Sequence, residues 1–201
     1  MRIGLYGGSF NPVHNAHISM AQEFINIMQL DKLIVMPAYS SPFKKDLIKE
    51  VRDADRLQML KIAFRAFDDV YISDFEIIKE GISYTIDTVK FIRNKYGISN
   101  EFYMLIGYDQ LYSFHKWKDW KQILCLIKIC AALRNPEKNV TLDEELDNYL
   151  IKSNYHIRFL NNKPLDISAS KIRENISQGQ DVSSLLPSEV QDYIKTHNLY
   201  L

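Results

Sequence analysis

The sequence predicts a doubly wound α/β fold, with a mostly parallel sheet and helices on both faces. Short apolar runs bounded by Gly, Pro or polar clusters alternate with stretches of helical period along the chain. Several of the runs are continuously apolar, as suits strands buried on both faces of a parallel sheet. At 201 residues and 46% hydrophobic composition, the chain can bury a full core. The simplest organisation is one domain over residues 1–201, with a helical C-terminal part from about residue 165 packed on it.

Taken in order, Ile3–Tyr6 reads as a first strand, followed by the loop Gly7-Gly8-Ser9-Phe10-Asn11-Pro12. A helix is predicted from Ala16 to Gln29, because Ile18, Ala21, Ile25 and Met28 recur at nearly 3.6 residues. Leu33–Met36, closed by Pro37, is a buried strand. Asp53–Phe67 is helical, with Leu57, Leu60, Phe64 and Phe67 on one face, and Val70–Ser73 is a short strand. Ser83 or Thr85 is expected to cap a helix that runs to Tyr96 and stops at Gly97. Phe102–Ile106 and Ile127–Leu133 are the next buried strands, and His156–Leu160 is another. Helices over Ser168–Ser177 and Pro187–Thr196 complete the pattern, the second with proline at its first position.

The 25 basic and 25 acidic residues cancel, so no global field draws the chain to nucleic acid or a membrane surface. No stretch approaches the roughly 20 consecutive apolar residues that a membrane helix needs. Met1-Arg2 leads directly into a strand, unlike a secretory leader, so a cytoplasmic location is expected. Cys125 and Cys130 lack metal-ligand spacing and read as small reduced core residues. His115, His156 and His197 are scattered, which argues against zinc.

In a doubly wound sheet, ligands bind beyond the carboxyl ends of the strands where the strand order reverses. The stretch after the first strand therefore draws attention. Its glycines allow the backbone to turn with positive φ and approach a ligand, and a helix start favours an anion. Neither G-x-G-x-x-G nor G-x-x-x-x-G-K-[ST] is present. His14 and His17 stand there instead, at the i, i+3 spacing that puts two rings on one helix face within reach of one phosphate chain. The plainer alternative is a pair of surface or capping histidines.

Gly7 to His17, GGSFNPVHNAH, resembles the G-G-[ST]-F-[DN]-P-[IVP]-H-x-G-H signature of the nucleotidyltransferase superfamily. Ile167-Ser168-Ala169-Ser170-Lys171-Ile172-Arg173 is similar to its I-S-S-T-x-I-R motif. Three further segments resemble bacterial nicotinate mononucleotide adenylyltransferases: Ser83-Tyr84-Thr85-Ile86-Asp87-Thr88, Ile106-Gly107-Tyr108-Asp109-Gln110-Leu111 with Trp117 and Trp120 beyond it, and the Leu186-Pro187, Val190, Tyr193-Ile194 and Leu199-Tyr200 ending. The resemblance covers essentially the whole chain and implies a Rossmann-like fold. It also implies AMP transfer from ATP to nicotinate mononucleotide, with Mg²⁺ accompanying the ATP. Nicotinamide mononucleotide or phosphopantetheine adenylyl transfer, and a non-catalytic nucleotide-binding module, remain alternatives, as do monomer and homodimer.

By resemblance, His14, His17 and Arg173 are the expected catalytic residues. Gly7, Gly8, Ser9, Phe10, Lys44, Gly107, Asp109, Ile167, Ser168 and Ser170 are expected at ATP, and Tyr84, Thr85 and Trp117 at the mononucleotide. Trp120 is expected in packing, and no residue is expected as a resident metal ligand. The chain departs from the pattern at Ala16, where glycine is usual, at Phe43 in place of histidine, and at Ala169-Ser170 in place of Ser-Thr. Tyr108 stands where a small residue is usual and is expected to narrow the pocket, and Arg134-Asn135-Pro136 replaces an R-P-G turn.

Overall fold

The computed structural model describes residues 1–40, 42, 51–133, 141–160, 165 and 167–201. Its centre is a six-stranded sheet of β1 (Arg2–Gly8), β2 (Lys32–Pro37), β3 (Val70–Ile72), β4 (Glu101–Gly107), β5 (Lys128–Ala132) and β6 (Arg158–Leu160). The order is β3-β2-β1-β4-β5-β6, and every neighbouring pair is parallel. This is the doubly wound arrangement the sequence predicts, with its reversal between β1 and β4.

Alternation along each strand divides the core into two layers. Tyr6, Leu33, Val35, Tyr103, Leu105, Cys130 and Ala132 face α1 (Asn15–Met28), α2 (Asp53–Ala63), α8 (Ala169–Ser177) and α9 (Ser188–Thr196). Ile3, Leu5, Ile34, Met36, Met104, Ile106 and Ile129 face α4 (Thr85–Tyr96), α6 (Trp120–Leu126) and α7 (Glu144–Ser153). Ile172, Val182, Leu186, Val190 and Ile194 belong to the first layer, so the C-terminal helices share a core with the N-terminal strand. Gly4 permits that layer to close. A Cβ there would lie 2.5 Å from Leu30 Cδ1 and 2.9 Å from the ring of Phe24.

Five elements are absent from the sequence reading, and others differ from it in their bounds. The short helices α3 (Phe75–Lys79) and α5 (Tyr108–Tyr112) and the 3-10 turn Phe114–Lys116 are too brief to show a period. Helix α6 was hidden because its apolar end runs unbroken into β5, which starts at Lys128 rather than Ile127. As a result Cys125 lies exposed on a helix, while Cys130 is buried in the sheet as expected. Helix α7 did carry a signal: Asp143 caps it by accepting from Glu145 N–H at 3.0 Å, and Leu146 and Leu150 are buried at i, i+4 spacing. Helix α4 is bounded differently from the expectation. Its N-cap is Tyr84, and the Ser83 hydroxyl instead accepts from Tyr39 N–H, while Gly97 ends the helix at φ +90° as foreseen.

Candidate active site

The site begins where β1 ends. Gly7 and Gly8 are the last residues of that strand, and the positive φ expected of them falls on Phe10 instead, at +45°. Gly7 is an open position, where a Cβ would meet nothing within 4 Å; at Gly8 it would meet the Phe10 ring at 3.0 Å. Phe10 is 1% exposed and packs edge-on against Tyr6 and His17 at centroid distances of 5.3 and 4.9 Å. Its side chain is therefore the floor under the loop, and only its backbone is left to meet a nucleotide.

His14 caps α1, and His17 lies in that helix's first turn. Their rings stack with centroids 3.7 Å apart, and His14 N–H donates to His17 Nδ1 at 3.3 Å. A neutral His17 ring that accepts at Nδ1 carries its proton on Nε2, which makes Nε2–H the ring's donor. His14 is buried, and its Nδ1 has no hydrogen-bond partner. Burial lowers the His14 pKa to about 4; burial and then the adjacent His14 ring hold His17 well below the usual imidazole range. Both rings are thus neutral at pH 7 in the free protein, and an approaching polyanion would favour their protonation. Ala16 between them is buried, so its methyl lies within the protein.

A stability consequence follows. The unfolded chain protonates His14 near the usual imidazole pKa of 6.5, before the folded protein does. Stability from this group is complete above about pH 6.5 and declines as pH falls toward 4. The urea midpoint of the parent is expected to drop across that window, with a shallower slope in His14→Ala; identical slopes would exclude the ring as the source.

The sequence motif near the other end of the chain comes to the same loop. Arg173 Nη1 donates to the Asn11 carbonyl at 2.9 Å, which sets its guanidinium beside the approach to His14. Ser168 caps α8 by accepting from Lys171 N–H at 3.2 Å, Ser170 is exposed in the first turn, and Ile167 precedes them half-buried. On the other side of the sheet reversal, Gly107 is the N-cap of α5 and Asp109 is exposed in its first turn. The Tyr108 hydroxyl donates to Thr141 O at 2.8 Å and accepts from Thr141 N–H at 2.9 Å. Lys44, like Phe43 and Arg134-Asn135-Pro136, lies outside the described residues.

Beside the loop is a cleft open to solvent. Of the expected residues, Gly7, Gly8, Ser9, Tyr84, Thr85 and Trp117 line it. The remaining expected residues within the described chain stand around the loop and the starts of α1, α5 and α8 rather than in this lining. Trp117 contributes an aromatic wall, whereas Trp120 is buried edge-on against Tyr149 at 4.9 Å, in packing as foreseen. Lys118 Nζ sits 4.4 Å from the centre of the Tyr84 ring. Glu76 accepts from the Thr88 hydroxyl at the cleft wall, and burial raises its pKa.

The sequence reading missed Glu76, Lys118 and, above all, Arg56. Arg56 is 5% exposed; it donates to Ser9 O at 2.6 Å and Ala38 O at 2.8 Å, and pairs with Asp53 Oδ1 at 2.6 Å. It therefore ties the segments leaving β1 and β2 to α2. The available signal was the Asp53–Arg56 i, i+3 pair, which from sequence looks like an ordinary solvated pair. Among the described residues no three His, Cys, Asp or Glu side chains form a group able to hold a metal ion. No described helix is long and apolar enough to cross a membrane.

Residues 5–175 match the family model described as cytidylyltransferase-like. A protein of Borreliella burgdorferi named "Probable nicotinate-nucleotide adenylyltransferase" is 35% identical, with 100% of this chain and 97% of that protein covered. A Neisseria meningitidis serogroup B protein of the same name is 34% identical over 99% of this chain and 98% of its own length. Among solved structures, Plasmodium falciparum nicotinic acid mononucleotide adenylyltransferase complexed with NaAD superposes with a TM-score of 0.76. It is 19% identical and covers 99% of this chain and 97% of its own, so that likeness concerns the fold. With sequence similarity over its full length and a matching doubly wound architecture, the chain belongs to the cytidylyltransferase-like family, among the nicotinate-nucleotide adenylyltransferases.

Proposed function

We propose that this chain transfers AMP from ATP to nicotinate mononucleotide, forming nicotinate adenine dinucleotide. A 5′-phosphate oxygen of the mononucleotide attacks the α-phosphorus, a P–O bond forms, the bond to the β-phosphate oxygen breaks, and pyrophosphate leaves. The nucleophile is already an anion, so no general base is needed. Catalysis then rests on aligning two polyanions and stabilising charge at the transferring and leaving groups. Alignment alone can supply about 7–11 kcal/mol.

The observation that carries this reading is the stacked His14–His17 pair at the sheet reversal, with Arg173 of α8 bonded to the same loop. His17 Nε2–H donates to the α-phosphate as charge builds on it, with His14 beside it. Arg173 holds the leaving phosphates with its planar fork, and Ser168 and Ser170 present the start of α8 to them. Mg²⁺ enters as part of the substrate, bound to the ATP phosphates, since the described residues offer no cage for it. Gly7, Gly8 and Ser9 let the backbone approach the nucleotide, and Asp109 accepts from ribose hydroxyls.

The cleft takes the second substrate. The first N–H groups of a helix have no intrahelical partners, and at α4 they lie beside Tyr84 and Thr85, where the nicotinate carboxylate would be met. Lys118 adds positive charge at that wall, and Trp117 offers a flat face to the pyridine ring.

Turnover of ATP and Mg²⁺ with nicotinate mononucleotide, and separately with its amide, tests the reading through pyrophosphate and dinucleotide release. Strong turnover with the acid and little with the amide is expected. Product from neither, with ATP still bound, would replace the enzyme by a nucleotide-binding module.

A further inference from the structure

Asn11 sits on the loop between β1 and α1 and has both of its oxygens occupied from the other end of the chain. Its carbonyl accepts from Arg173 Nη1 at 2.9 Å, and its side-chain Oδ1 accepts from the Tyr200 hydroxyl at 2.5 Å. The loop is tied to the same region twice more, where Asn15 N–H donates to Leu185 O and Asn15 Nδ2 to Ser184 O, each at 3.0 Å. Those last two bonds hold the start of α1. The Asn11 bonds differ in kind, because one of their donors is the guanidinium assigned to the leaving phosphates.

We infer that Tyr200 is a positioning residue for ATP: through the Asn11 amide it fixes the carbonyl that aims the Arg173 guanidinium at the triphosphate. The inference rests on the adenylyl-transfer reading for Arg173's role. The Asn11 side-chain amide and carbonyl hang from the same Cα, so the Tyr200 bond to Oδ1 and the Arg173 bond to the carbonyl pin one residue of the loop from two sides. Tyr200 is itself held in the left-handed region at φ +64°, and its ring packs against the first core layer, so the hydroxyl is presented from a fixed base. Arg173 is half-buried and Tyr193, from α9, anchors the preceding helix by donating to Asp55 Oδ1 at 2.9 Å. The segment that carries Tyr200 is thus secured independently of the bond to Asn11.

The test removes single polar atoms. Tyr200→Phe keeps the ring and its packing, and Asn11→Ala removes the acceptor. ATP binding in the presence of Mg²⁺ is followed by calorimetry for both variants and for the double variant, with thermal unfolding alongside. Losing one hydrogen bond of this kind corresponds to roughly a 3- to 10-fold change in an equilibrium constant. Each single variant is therefore expected to weaken ATP by about that factor. The double variant should be no weaker than the weaker single, and the KM for the mononucleotide should stay at the parent value. Parent-strength ATP binding by Tyr200→Phe would overturn the inference. So would losses that multiply in the double variant, or a loss of ATP binding that merely follows a fall in Tm. If the parent makes no dinucleotide from nicotinate mononucleotide but the ATP pattern holds, the substrate reading fails and the positioning role stands.

Discussion

His17→Ala is expected to lower kcat by about 100-fold or more, comparable to the loss of one oxyanion donor in other enzymes. The geometry makes the reason specific. His17 Nδ1 is occupied by His14 N–H, so the neutral ring is held in one tautomer with its proton on Nε2. Stacking on His14 and edge contact with Phe10 restrain the ring plane before substrate arrives. A donor oriented in advance acts when charge develops at the α-phosphate, which calls for an effect on kcat larger than that on the KM for ATP. The variant also loses a bond at the start of α1, so its Tm is expected to fall modestly, and kcat should be read well below that temperature. Turnover near the parent value would remove His17 from the transition state.

Arg56→Ala is expected to be the most damaging single change outside the nucleotide-facing residues. The substitution leaves two backbone carbonyls and the Asp53 carboxylate without their shared donor, a guanidinium that is itself buried. Breaking a buried pair in this way costs about 3–5 kcal/mol, which for a chain of this size lowers Tm by roughly 10 °C. Arg56→Lys should recover part of the stability but not the activity, since an ammonium has no planar fork to span Ser9 and Ala38. A Tm for Arg56→Ala within a degree or two of the parent would show that the three bonds contribute little.

The contrast between these two residues explains what was legible in the sequence. His14 and His17 drew attention because Gly7-Gly8 and a strand before them, with a helix after them, mark a strand-to-helix turn by local pattern, and the resemblance then gave the pair its expected role. The strands were visible because continuous apolar runs have few other uses in a chain of this composition. Arg56 was not visible, because helical spacing reports which face a residue occupies and not what that face meets. Its partners, Ser9 and Ala38, are contributed by two other strand ends. The same limit hid Glu76 and Lys118, whose importance comes from sharing a cleft with Tyr84 and Thr85. The α6–β5 boundary failed for another reason, since a helix end and a strand start, both apolar, leave no break in pattern at Ile127. The glycine expectation misplaced the strained residue by two positions or so: Gly8 is needed for room beside the Phe10 ring, and Phe10 itself takes the positive φ.

The joining of Asn11 to Arg173 and Tyr200 has a consequence for how this protein comes into being on the ribosome. Contacts between residues so distant in the chain carry a large loop-closure cost and form late. The loop that follows β1 is made 162 residues before Arg173 and 189 before Tyr200, the groups that hold it. A nascent chain can lay down β1 to β5 and still lack a finished nucleotide cradle, because a fragment that stops short of Arg173 carries the histidine pair without the guanidinium bonded to their loop.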